Sequence, residues 1–142
     1  APAAEIIDFI RSNGAAAVMA HPIHTKFKPD ILYNVVRELP QAGLSGIEVF
    51  HASQPRANRQ LYLDIIRDLG LITAGGSDFH GGTAHPENKL GTGRRHNLNM
   101  PYMVLEQLHA AANAPAANTA APLSSASPVP PVSYYAELEK YL

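Results

Sequence analysis

The sequence predicts an α/β fold in which parallel strands alternate with helices, and three observations carry that expectation. Three helical patterns each precede a short, uninterrupted apolar run, and such runs belong to strands buried on both faces. The links between them are short and contain glycine or proline, as in βαβ units. Polar residues also recur at the strand ends: His21 and Glu48 are 27 positions apart, and Glu48 and Asp78 are 30 apart. Each interval is about one βαβ repeat. Such a sheet is either the middle of a layered α/β fold or part of a barrel.

Taken in order, residues 3–13 place Ile6, Ile7, Phe9 and Ile10 at helical spacing, and Gly14 follows where a left-handed residue closes a helix. Residues 15–20, Ala-Ala-Ala-Val-Met-Ala, read as the first strand and stop at His21-Pro22. Pro29 suits the first turn of a second helix, whose apolar face is read as Ile31, Leu32, Val35, Val36 and Leu39. Gly43 and Gly46 frame the turn into a second strand, residues 46–50. A third helix spans 55–69 with Leu61, Ile65, Ile66 and Leu69 inward and Gly70 at its end, and a third strand covers 71–74. Residues 81–99 read as a polar loop region and 102–112 as a further helix. The predicted organisation is a folded unit over 1–112, an Ala/Pro/Ser-rich linker over 113–133, and a short C-terminal helix over 134–142. The linker reading follows from an uncharged stretch with too little apolar bulk to offset its ordering entropy.

The bulk numbers narrow the function classes. A chain of 142 residues is sized for one domain with a real core. The net charge of −1 supplies no field that would recruit nucleic acid or an anionic membrane in bulk. Cysteine is absent, which excludes disulfides, thiolate zinc sites and cysteine nucleophiles. No apolar run approaches the roughly 18–20 residues of a membrane span, so no membrane partner is expected. The first residues, Ala-Pro-Ala-Ala-Glu, lack a basic region and an apolar core, so they do not read as a signal peptide, and a cytoplasmic location is expected. They also lack an initiator methionine and run straight into a helix, as a piece of a longer chain would.

Strand carboxyl ends in parallel α/β folds gather at one edge, where ligands bind. His21, Glu48, Asp78 and His80 occupy three successive such ends. Residues i and i+2 of an extended segment point the same way, so Asp78 and His80 can converge on one ion, and His21 can join them from the neighbouring strand. Imidazole with carboxylate suits zinc, manganese or iron. Glu48 reads either as a group orienting a ligand histidine or as the strand's one exposed residue. A phosphate ligand needs cationic and backbone donors as well, which makes Arg56, Arg94 and Arg95 candidates. Against them, Arg56 at a helix start and the Arg94-Arg95 pair can equally be solvated surface charge. The Gly-Thr-Gly stretch at 91–93 lacks a dinucleotide fingerprint, and Ser77 lacks the flanking glycine of a nucleophile elbow.

Three segments, Ala17-Val18-Met19-Ala20-His21-Pro22, Gly43 to His51, and Thr73-Ala74-Gly75-Gly76-Ser77-Asp78-Phe79-His80-Gly81, follow one another in an order and spacing that resembles PHP-family (polymerase and histidinol phosphatase) metal-dependent phosphoesterases. The likeness runs from about Ile6 to Gly91, and the Gly-Ser-Asp-Phe-His-Gly block is its most specific part. The resemblance implies a distorted (β/α)7 barrel, of which this chain is the C-terminal part. It implies two or three divalent ions in the complete site, drawn from manganese, zinc, iron or magnesium, with His21, Asp78 and His80 as ligands. Asp78 and His80 are then the candidate catalytic residues, and His51, Arg56 and Arg94 the candidate substrate-binding ones. The chain departs from the family in lacking its first Asp-x-His-x-His segment and its middle histidine and glutamate ligands, so the N-terminal half of the same domain is an expected partner.

The expected activity is metal-assisted hydrolysis of a small-molecule phosphate ester, of nucleotide or short-oligonucleotide type. Two other readings compete: a non-catalytic PHP-derived scaffold or interaction module, and a barrel metallohydrolase acting on amides or lactones.

Overall fold

The computed structural model describes residues 1–114 and 129–142; most of the predicted linker, residues 115–128, lies outside them. Helix α1 (Ala3–Ser12) is followed by strand β1 (Ala17–Met19), helix α2 (Pro29–Val36), strand β2 (Leu44–His51), helix α3 (Arg56–Leu69) and strand β3 (Ile72–Gly76). β1 and β3 each pair in parallel with β2, giving a three-stranded sheet of order β1-β2-β3. The fold is thus α/β, with parallel strands alternating with helices. The sheet of the described residues is open, and no closed barrel forms among them.

β2 sits between its neighbours and is buried along its whole length except at Glu48, which is half-buried. Ile47, Val49 and Phe50 are fully buried, so both faces of the strand are covered, as a parallel sheet requires. Val36 of α2 and Leu63 and Ile66 of α3 complete this core; each such side chain contributes about 1.5–3 kcal/mol. Two glycines let the backbones approach closely. A Cβ on Gly46 would fall 2.4 Å from the Ile72 carbonyl oxygen, and one on Gly75 would fall 2.6 Å from that of Phe50.

The apolar stripes pack over narrower arcs than the periodicity predicts. On α2 only Leu32 and Val36 are buried while Ile31 and Val35 are exposed; on α1 Ile7 is buried while Ile6 and Phe9 are exposed. Helical spacing identifies a stripe, but which flank of it meets the sheet depends on how the helix docks. Arg11, 6% exposed, donates from Nη1 to the Ala15 and Ala111 carbonyls and from Nη2 to that of Ala114. The last two lie at the carboxyl end of helix α5 (Met103–Asn113), where a cation also meets the favourable end of the helix dipole.

After β3 the chain forms a one-turn helix α4 (Gly81–Ala84) and a short antiparallel pair, β4 (Asn88–Lys89) with β5 (Gly93–Arg94), within the region read as a loop. Helix α6 (Val132–Leu138) buries Tyr134, Tyr135 and Leu138. Its two tyrosines reach the outer edge of the sheet: Tyr134 Oη accepts the Thr73 N–H at 3.0 Å, and Tyr135 Oη donates to the Leu71 carbonyl at 3.0 Å.

Candidate active site at the strand ends

The first strand ends in a strained turn. His21 has φ 31°, in the left-handed region that non-glycine residues rarely enter. It opens a 3-10 turn, Pro22–Thr25, in which side chains three apart eclipse one another. The turn carries His24 up beside His21, with ring centroids 5.1 Å apart. Glu48, reaching across from β2, accepts the His21 backbone N–H through Oε2 at 2.6 Å. It therefore holds the main chain of His21 rather than the ring. Burial raises the Glu48 carboxyl above its ordinary pKa, partly offset by that hydrogen bond and by the His21 charge.

The second strand ends on His51, which is 2% exposed. Its Nδ1 accepts the Ser53 N–H at 3.2 Å and lies 2.8 Å from Ser53 Oγ. An N–H can only donate, so Nδ1 is unprotonated and the neutral ring carries its proton on Nε2. Burial lowers the His51 pKa and so favours the neutral ring, while the Asp78 charge opposes it. Nε2 is buried with no hydrogen-bond partner among the described residues, and Asp78 Oδ2 is 3.8 Å away, beyond hydrogen-bond length. The histidines at positions 21, 24 and 51 form one cluster, His51 standing 5.8 Å from His21 and 6.0 Å from His24 between ring centroids.

The third strand ends on a second left-handed residue, Asp78, with φ 54°. Its carbonyl oxygen receives His80 Nδ1 at 2.9 Å and Asn88 Nδ2 at 3.0 Å. A carbonyl only accepts, so His80 Nδ1 bears the proton and its exposed ring presents an Nε2 lone pair when neutral. The two histidines have opposite characters: His80 offers a lone pair, His51 an N–H. Strain of order 1–3 kcal/mol at each left-handed residue persists only where the surroundings fix it, and such residues concentrate at functional sites.

Arg94 reaches this region indirectly. Its Nε donates to Asn88 Oδ1 at 2.8 Å and its Nη2 to Glu87 Oε1 at 3.0 Å, so Asn88 joins the arginine to the Asp78 main chain. Arg94 lines a cleft of about 530 Å³ with Ala52, Glu87, Arg95 and Asn97. Arg56 lines a different cleft and donates to the Leu142 main-chain oxygen. The structure therefore gathers His21, Glu48, His51, Asp78 and His80, sets Arg94 beside them, and leaves Arg56 apart. His24 and Asn88 escaped the sequence reading. His24 was signalled only by the His-Pro-x-His spacing, and Asn88, 1% exposed, by nothing local.

The donors present, imidazole and carboxylate, are of the type that binds divalent transition metals. In number they fall short: among the described residues no three histidine, aspartate or glutamate side chains are arranged to hold one ion. Among those residues, too, no helix is long and apolar enough to cross a membrane.

No family model matches the chain. It is 30% identical over 79 residues to a phosphoribosyl 1,2-cyclic phosphate 1,2-diphosphodiesterase of Eggerthella lenta. That alignment covers 56% of this chain and 28% of the relative, so the chain spans well under a third of the relative's length.

Proposed function

We propose that this chain forms one wall of a metal-dependent phosphoesterase site of the PHP type, acting on a phosphate ester of nucleotide or sugar-phosphate kind. Its domain portion takes in residues 1–113 and the helix that begins at Val132, whose Tyr134, Tyr135 and Leu138 belong to the same core. The observation that carries the reading is the convergence of His21, His51, Asp78 and His80 at three adjacent ends of a parallel sheet. The similarity to a cyclic phosphate diphosphodiesterase supports the reaction class.

In this reading His21, Asp78 and His80 supply part of a ligand set, and other segments of the domain supply the rest. Bound divalent ions would provide an acidified water and neutralise phosphoryl charge. The chain's own residues do the remaining work. Glu48 fixes the His21 backbone, and Asn88 with His80 fixes that of Asp78. The unspent His51 Nε2–H, buried 3.8 Å from Asp78 Oδ2, is a donor this edge would hold ready for a phosphoryl oxygen. Arg94, whose charge is paired with Glu87, braces Asn88 from behind and would meet phosphate only by giving up that pair.

Asp78→Ala in the intact protein is expected to abolish metal-dependent phosphoester hydrolysis and lower the bound metal measured by elemental analysis. Undiminished turnover with full metal content would overturn the assignment. A second reading, a non-catalytic module derived from such a site, is favoured by there being, among the described residues, no three donors arranged for one ion. It predicts no hydrolysis of any phosphate ester by the intact protein at any divalent metal concentration.

A further inference from the structure

A second cleft, of about 350 Å³, opens between the start of α3 and the segment after β5. It is lined by Gln54, Arg56, Arg59, His96 and Asn97 together with Leu142 and two further residues, and no acidic side chain is among them. Two of the lining side chains are almost wholly buried and incompletely satisfied. Arg59 is 6% exposed; its Nη2 donates to the Asn97 carbonyl at 3.2 Å, and its Nε has no partner among the described residues. Gln54 is 4% exposed; its Nε2 donates to the Val49 carbonyl at 3.0 Å, which fixes the amide orientation and leaves Oε1 without a partner.

A buried guanidinium donor and a buried amide acceptor, on two residues lining one cleft and both left open, are costly unless something fills them. The two demand a ligand that accepts at one point and donates at another. Arg56 sits close enough for its charge to lower the Arg59 pKa, after burial, so the cationic character is concentrated rather than matched. Arg56 already holds a main-chain oxygen, that of Leu142, so an incoming anion must share or displace it.

We infer that this cleft is a recognition subsite for a phosphate group borne on a hydroxylated scaffold such as a sugar. Arg59, with Arg56 and His96, receives the anionic oxygens, and Gln54 Oε1 accepts a neighbouring hydroxyl hydrogen. Asn97 forms the wall between this cleft and the one beside Arg94: it lines both, its Nδ2 donates to the Ala52 carbonyl at 2.7 Å, and its Oδ1 accepts the Arg94 N–H at 2.9 Å. A ligand spanning the two would carry its reacting phosphoester toward the strand ends and a second phosphate here. That spanning role rests on the phosphoesterase reading; the anion subsite stands without it.

The test is a titration of isotopically labelled protein with ribose 5-phosphate, inorganic phosphate and ribose, followed at the amides of Asn97 and Asn99 and the ring of His96. Ribose 5-phosphate should give saturable shifts, inorganic phosphate the same shifts with affinity about tenfold weaker, and ribose none. Arg59→Met should weaken ribose 5-phosphate by about tenfold or more. Gln54→Met should erase the preference for the sugar phosphate while keeping phosphate binding, so it serves even if the arginine variant fails to fold. Asp78→Asn should bind as the parent does while losing hydrolysis, which separates this subsite from the strand-end site. No saturable shift in the parent protein would overturn the inference, as would unchanged affinity in a folded Arg59→Met or loss of binding in Asp78→Asn. Equal affinity for ribose 5-phosphate and phosphate in the parent, the mark of an adventitious ion only, would do the same.

Discussion

Gly75 joins core and site in one position. A methyl group there would meet Met100 Sδ at 2.4 Å and the Phe50 carbonyl oxygen at 2.6 Å, and the oxygen, being main chain, cannot step aside. Gly75→Ala is expected to destabilise the protein by about 1–3 kcal/mol through overpacking, seen as a lower midpoint in urea denaturation. It should also displace Asp78, three residues on, so that metal-dependent activity falls further than the fraction unfolded accounts for. At this scale the sequence was partly readable. Ser-Asp-x-His announced two neighbouring groups, but they meet through a left-handed turn at Asp78 and not along an extended segment, His80 Nδ1 lying 3.4 Å from Asp78 Oδ1. The protonation pattern did not show, because it depends on Ser53 giving His51 Nδ1 an N–H and on the Asp78 carbonyl taking one from His80. Those are choices made by turns, and turns leave weak traces in composition.

Among the elements, α6 is the one whose role periodicity could least foresee. Its tyrosines bond to groups 61 and 64 positions away, and no local pattern encodes so distant a pairing. Tyr134→Phe would leave the buried Thr73 N–H unpaired, an expected loss of about 1–3 kcal/mol, measured by thermal or chemical denaturation. Burial pushes both tyrosines up to about 12. The unfolded chain ionises near the ordinary value of 10, so it releases protons first as pH rises. The stabilisation is complete below pH 10 and is lost as pH climbs through about 12. Denaturation midpoints should fall across that interval, and the Tyr134→Phe, Tyr135→Phe double variant should show a flatter decline. The α/β alternation, by contrast, was plain, since short apolar runs between helical stripes have few other uses.

Across the whole molecule, Arg11 links the first helix to the last one before residue 115 by bonding to carbonyls 100 and 103 positions away. Arg11→Met keeps the aliphatic bulk and removes the donors, and is expected to cost about 1–3 kcal/mol in thermal unfolding while leaving the strand-end groups in place. Nothing local signals this tie, since a basic residue in a last helical turn is ordinary. The sequence did show that polar side chains such as His21, Glu48 and His51 stand at or near the strand ends, because topology brings those ends to one edge. The tyrosine pair over β3 also gives the sheet a direction of growth. On the β3 border hydroxyl groups take up the Thr73 amide and the carbonyl of Leu71, just before the strand, while among the described residues β1 and β3 each pair only with β2. A strand added alongside β1, whether from this polypeptide or another, would meet no such hydroxyl pair among the described residues and would run next to His21.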